Sequence, residues 1–135
     1  MGRRLALDTS VLVAAERAGR VPDWWFADDD QIGLPVIALA EFRGGIACAR
    51  PDYRPRMQRF LDGFLELVDV LPYDDAVLEH HVRLIAWTVS HGVPRGQDDL
   101  IIAATGAATN RTLMTLDARA HFDELPGVHA IVLSV

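Results

Sequence analysis

Four acidic residues stand where a carboxylate can do chemistry. Asp8 directly follows the short apolar run Leu5-Ala6-Leu7, and Asp117 stands two residues after Leu113-Met114-Thr115. Asp99 opens a helix of small residues, and Glu41 interrupts the apolar stretch Val36-Ile37-Ala38-Leu39-Ala40 before Phe42. One turn of about 3.6 residues relates Ile37 to Glu41, which puts the glutamate on the buried helix face unless the stripe runs differently. Each acid also has an ordinary role: Asp8 as a turn residue, Asp98 or Asp99 as a helix N-cap, Asp117 as a solvated loop residue. Their joint placement carries more. Carboxylates that converge without a basic partner repel one another, so one is protonated or the fold loses stability, unless a cation lies among them. Oxygen donors of this kind favour Mg²⁺ or Mn²⁺ over zinc.

The charge inventory narrows the counter-charge. The 135 residues carry 19 acids and 13 bases, a net charge of −6. Every base is arginine and the chain has no lysine, which excludes the P-loop signature, a Schiff base and the lysine-dependent receiver domain. A net-acidic chain also has no global attraction for nucleic acid. The single cysteine, Cys48, excludes an internal disulfide and a cysteine-rich zinc site, and it reads as a small buried residue. No apolar run approaches the length of a membrane span and no signal peptide is recognisable, so a soluble, cytoplasmic protein with no membrane association is expected. The length matches one domain over residues 1–135.

The elements that must position these acids alternate between strand and helix. Residues 4–8 read as a buried strand, followed by a helix to about Ala18 capped by Thr9 or Ser10 and stopped at Gly19. Gln31 to Leu34 reads as a second strand, with Pro35 opening a helix to Ala49. Met57, Phe60, Leu61, Phe64, Leu65 and Val68 mark an amphipathic helix over 53–68, its stripe serving as core or as a partner's groove. A third strand over 68–71 precedes a helix capped by Asp74, with Leu78, Val82, Ile85 and Val89 on one face. Leu100 to Thr109 forms the small-residue helix, capped by Asp98 or Asp99, and 112–115 and 129–133 are the last strands. Short strands alternating with helices predict an α/β fold, a mainly parallel sheet of four to five strands covered on both faces. Such sheets bind ligands beyond the carboxyl ends of their strands.

In these motifs the sequence resembles the PIN-domain ribonucleases, and within them the VapC-type toxins, along nearly its whole length. The residues that carry the resemblance are Leu7-Asp8-Thr9-Ser10-Val11-Leu12, Ala38-Leu39-Ala40-Glu41-Phe42, Asp99-Leu100-Ile101-Ile102-Ala103-Ala104-Thr105, and Leu113-Met114-Thr115-Leu116-Asp117 with Phe122 beyond. Aligning on Ile102-Ala103-Ala104 makes Asp99 the family's third acid and leaves Asp98 as a cap or outer-shell residue. Gly106 departs from the pattern, where alanine or a larger residue is usual. The resemblance implies a PIN-like three-layer α/β/α fold and an Mg²⁺- or Mn²⁺-dependent endoribonuclease. Asp8, Asp99 and Asp117 would hold the cation, with Glu41 completing the shell. Thr9, Ser10 and Thr115 match the hydroxyl positions beside the first and last acids. It further implies an RNA substrate, a cognate VapB-type antitoxin that occludes the site, and a homodimer.

The remaining features read more plainly. Arginines outside the pocket could hold the flanking backbone of the substrate by bidentate contacts; Arg43, Arg95 and Arg119 lie nearest the acids in sequence, with solvated surface as the ordinary reading. Trp24-Trp25-Phe26 is a core cluster or a partner surface. Asp28-Asp29-Asp30 reads as a solvated turn, His80 and His81 cannot face one ligand, and His121 is a weak candidate for substrate contact. Two rival functions share the first-strand acid or the fold. An aspartyl-nucleophile phosphatase would carry a second Asp at position 10, where this chain has Ser10. An inactive PIN-fold binding module is the other, and the intact set of acids argues against it.

Overall fold

The computed structural model describes residues 2–134. Five strands form one all-parallel sheet: β1 (Arg4–Leu7), β2 (Gln31–Pro35), β3 (Asp69–Leu71), β4 (Thr112–Thr115) and β5 (Ala130–Val132), in the order β3-β2-β1-β4-β5. Helices α1 (Thr9–Ala18), α2 (Val36–Cys48), α3 (Arg54–Leu65), α4 (Asp75–His91) and α5 (Gln97–Ala108) cover the sheet in an α/β/α sandwich. β1 sits at the centre, and Leu5, Ala6 and Leu7 are fully buried because both of its faces are covered. Leu5 pairs with Ile32 on one side and Thr112 on the other. Strand order runs outward from β1 in both directions, so the β1/β4 seam is a topological switch point. Its carboxyl end is where such a sheet leaves room for a ligand.

Local chemistry explains the helix bounds. α1 stops at Gly19, whose left-handed backbone (φ 72°) lets its N–H return to the carbonyls of Ala15 and Glu16. Asp74 caps α4 by accepting from the Val77 N–H at 3.0 Å, as expected. Two expected caps are different. Asp8 itself, not Thr9 or Ser10, precedes α1, and Gly96 precedes α5 without a capping side chain. Asp98 and Asp99 therefore stand inside the first turn of α5, where the helix dipole favours an acid.

Two other expectations are corrected. The stripe of α4 faces largely outward: Leu78, Val82 and Val89 are exposed, Ile85 alone packs against the core, and the helix buries Val77 and Leu84 while packing mainly on α5. The i, i+7 spacing of Val77 and Leu84 gives a seam as good as the stripe. Cys48 is exposed, because α2 buries Ala38, Phe42 and Ile46 at intervals of four and Cys48 falls on the far side. The stripe of α3 is core, with Leu61 and Phe64 buried and Met57, Phe60, Leu65 and Val68 packed against them.

Nor is the acidic run a solvated turn throughout. The Asp30 side chain is 1% exposed and takes the Arg3 guanidinium in a forked pair, Nη2 at 2.6 Å and Nε at 3.1 Å, plus the N–H groups of Ala27 and Arg3. The Arg3 hydrogen bond, chiefly, lowers the Asp30 pKa to about 2 from 3.8. A lowered folded pKa contributes stability that is present above the unfolded value and lost as pH falls through the folded one. With Arg3 half-exposed, screening reduces the contribution to about 1 kcal/mol. Acid titration followed by circular dichroism should show wild type losing that increment between pH 3.8 and about 2, and Asp30→Asn should lack it.

Gly106 lies in the buried face of α5, and a Cβ there would meet only ordinary contacts, the Arg111 carbonyl at 3.7 Å and the Cβ atoms of Ala6 and Leu113 at 3.9 Å. Gly106→Ala should thus raise stability by about 0.5–1 kcal/mol, through the lost flexibility of the unfolded chain. Chemical denaturation checks it: a lower midpoint would show that the close α5–β1 approach needs glycine. No helix among the described residues is long and apolar enough to cross a membrane.

Candidate active site

The carboxyl ends of β1 and β4 deliver two of the acids. The Asp8 N–H bonds the Met114 carbonyl at 2.9 Å, extending the ladder one step and fixing the direction of its side chain. Asp8 is buried, and two hydroxyls donate to its Oδ2, Ser10 Oγ at 2.8 Å and Thr115 Oγ1 at 2.7 Å. Each hydroxyl has a single proton, so the 3.3 Å approach of Ser10 Oγ to Thr115 Oγ1 is a contact and not a third bond. The same two oxygens accept from the next turn of chain, Ser10 Oγ from Leu116 N–H at 3.0 Å and Thr115 Oγ1 from Asp117 N–H at 2.9 Å. Asp8 and Asp117 are thereby tied through Thr115. Both donated bonds fall on Oδ2, which leaves Oδ1 of Asp8 without a donor among the described residues.

Asp117 precedes a 3-10 turn, Ala118–Ala120, and caps it through Oδ1 to the Arg119 N–H at 3.0 Å. A second 3-10 turn, Phe122–Glu124, follows, with Phe122 buried beneath the loop. Glu41 comes from the middle of α2. Contrary to its placement on the buried face, it is solvent-exposed at the rim, because the stripe runs through Ala38 and Phe42. Thr9 Oγ1 donates to its Oε1 at 2.7 Å and ties α2 to the start of α1.

Electrostatics shows which acids share this space. Partial burial, first, and then the charges of Asp8, Asp117 and Asp98 raise the Asp99 pKa, opposed by Arg95. Partial burial likewise raises Glu41, against the Thr9 hydrogen bond, with Asp98, Asp8 and Asp99 adding to the rise. Asp98 is exposed and acts on both neighbours through its charge. The structure thus places Asp99 within charge reach of Asp8, Asp98 and Asp117, and Glu41 within reach of Asp8, Asp98 and Asp99, with Thr9 bracing Glu41 and with Ser10 and Thr115 bracing Asp8. Among the described residues no three such side chains are drawn in tightly enough to enclose an ion unaided.

Arg95 departs from its ordinary reading. Instead of solvated surface, its side chain is 7% exposed, donating through Nη1 to the carbonyls of Ala120 and His121 and through Nη2 to Glu124 at 3.2 Å. Its sequence position four residues before Asp99 carries no signal of that, since every partner comes from the loop after β4. His81, by contrast, bridges Tyr73 Oη (2.8 Å) and Gln97 Oε1 (3.0 Å), joining α4 to the first turn of α5.

A parallel five-stranded α/β sandwich with carboxylates gathered at its switch point defines the class. Its sequence matches the PIN domain family model over residues 5–128, and the chain belongs to that family. It is 25% identical to Ribonuclease VapC1 of Rickettsia felis over 131 residues, 96% of each chain, and 25% identical to Ribonuclease VapC of Rickettsia bellii over 130 residues, again 96% of each. Among solved structures it is similar to VapBC2 of Rickettsia felis bound to a promoter DNA fragment, with TM-score 0.87 and 23% identity, covering 97% of this chain and 99% of that one. VapBC-5 of Mycobacterium tuberculosis gives TM-score 0.76 at 28% identity, covering 96% and 98%.

Proposed function

We propose that this chain is a divalent-metal-dependent endoribonuclease, using Mg²⁺ or Mn²⁺, and the toxin of a type II toxin–antitoxin pair. The observation that carries the reading is the convergence on Asp99 of the charges of Asp8 and Asp117, from the carboxyl ends of β1 and β4, with Glu41 within reach of Asp8 and Asp99. The donor set is oxygen throughout, which suits a hard cation. Asp8, Asp99 and Asp117 would hold it, with Glu41 completing the shell or orienting water through Oε2, since Thr9 engages Oε1. Such a cation, when bound, supplies Lewis acidity at a phosphodiester and lowers the pKa of water. The protein's own part is positional. Ser10 and Thr115 fix Asp8, and Thr115 sets the Asp117 backbone through its N–H.

The likeness to VapC ribonucleases over 96% of the chain supports RNA as substrate, and the likeness to a VapBC toxin–antitoxin structure supports a VapB-type antitoxin as partner. The groove of about 230 Å³ between α1, α2 and α3 suits such a partner: Val13, Phe42 and Met57 wall it, with Glu16 and Glu41 as its acids. The outward stripe Leu78, Val82 and Val89 on α4 supports pairing with a second copy. The reading further takes residues 1–135 as one PIN domain working in the cytoplasm.

The test is cleavage of structured RNA by partner-free protein. Cleavage should need Mg²⁺ or Mn²⁺, stop in excess chelator, and be lost in Asp8→Asn. Undiminished cleavage in chelator would overturn the metal reading, and an inert wild type that binds no Mn²⁺ by calorimetry would favour the inactive binding module.

A further inference from the structure

A second cavity, of about 170 Å³, opens beside Asp99. Its walls come from two loops, the Val93–Gly96 link before α5 and the turn after β4 that carries Arg119, His121 and Glu124. Three features make it a seat for an anion next to the acids. Arg119 lines it, is exposed, and has no ion-pair partner among the described residues. The N-terminus of the twelve-residue α5 lies at the same wall with no capping side chain, so backbone N–H groups and the positive end of the dipole face that region. The third is independent: Arg95, nine-tenths buried in that wall, has an Nε–H that meets no acceptor among the described residues.

We propose that this pocket holds a backbone phosphate of the substrate strand adjoining the scissile one, with Arg119 as its contact and Arg95 as a positioning residue. The proposal rests on the ribonuclease reading above. Arg95 acts by geometry. Its guanidinium grips the Ala120 and His121 carbonyls, and His121 is held in the left-handed region (φ 48°, ψ 46°), where a residue with a Cβ is disfavoured. Packing of Arg95 over the Trp87 ring, 6.0 Å from its centroid, anchors the grip to α4. Arg119 and Asp117 stand two residues apart on the turn so held, so the same clamp aims the phosphate contact and the acid. A net-acidic chain thereby holds one local cation where a strand must pass.

The test separates this pocket from the catalytic reading. In an Asp99→Asn background that keeps RNA uncleaved, binding of a fluorescein-labelled single-stranded RNA 12-mer is followed by anisotropy across a salt series. Arg119→Ala should weaken binding about tenfold at low salt and flatten the slope of log K against log salt by about 0.7. Arg119→Lys should recover the slope without the full affinity, because the forked geometry is lost. Arg95→Met should cause the same loss, and adding it to Arg119→Ala should cost little more, since both act on one contact. Amide exchange at 118–124 should quicken in Arg95→Met only. Unchanged affinity and slope in Arg119→Ala overturns the proposal even if Arg95→Met fails to fold. Cleavage by the Asp99→Asn protein would instead count against the catalytic reading.

Discussion

Asp99→Asn should abolish RNA cleavage by about 10³-fold or more while making the metal-free protein more stable, not less. On the proposed metal-dependent reading, the activity loss follows from removing a carboxylate that would hold the cation, a larger change than loss of an outer partner. The stability gain follows from the raised pKa of Asp99, caused by partial burial and by Asp8, Asp117 and Asp98. A raised folded pKa contributes stability that is fully present below the unfolded value of 3.8 and lost as pH rises through the folded one. At neutral pH the wild-type carboxylate is therefore a net burden, relieved either by a cation or by the neutral amide. Because Asp99 is half-exposed, the relief is modest, an increase in Tm of about 2–4 °C. Thermal scans in chelator at pH 7.5 and pH 4.5 check it: the variant's advantage should shrink at the lower pH and also when Mn²⁺ is supplied to wild type. A variant less stable than wild type at both pH values would show that Asp99 is held by native bonds and is not in repulsion.

Trp25→Ala should have the largest effect on the fold itself, about 3–5 kcal/mol of lost stability. Trp25 is 1% exposed, packs edge-on against Phe26 with ring centroids 6.4 Å apart, and donates its indole N–H to the Ser134 carbonyl at 3.2 Å. It thus binds the long link between α1 and β2 to the residues after β5, at opposite ends of the chain. Truncation opens a cavity and leaves a carbonyl without its donor, in a domain whose total stability is about 5–15 kcal/mol. Trp24→Ala is the internal control. Trp24 is 64% exposed, so its loss should cost no more than about 0.5 kcal/mol. Urea denaturation of the two variants should separate them clearly, and equal midpoints would mean that the link is not anchored by Trp25.

The same neighbouring tryptophans show where sequence stops being informative. Adjacent in the chain, they are indistinguishable by type, and only the path of the link puts one in the core and the other in water. α4 makes the point more sharply. Its Leu78, Val82, Ile85 and Val89 form a regular stripe, yet the helix buries Val77 and Leu84, because periodicity shows that a face is apolar and not what lies against it. Asp28 to Asp30 looked uniformly polar, and one of the three became the hub of a forked ion pair with Arg3, 27 residues away.

By itself the sequence determined the alternation of strand and helix, the parallel sheet, and the acids that end its strands, Asp8 and Asp117. These are local matters: short apolar runs and turn residues are legible within a few positions. Tertiary structure alone decided that Asp8 and Asp117 share Thr115, that Glu41 stands at the rim, that Gly96 starts α5, and that Arg95 clamps the turn bearing Arg119. Each depends on groups far apart in the chain meeting at the switch point, where the order of strands and not the spacing of residues sets the neighbours.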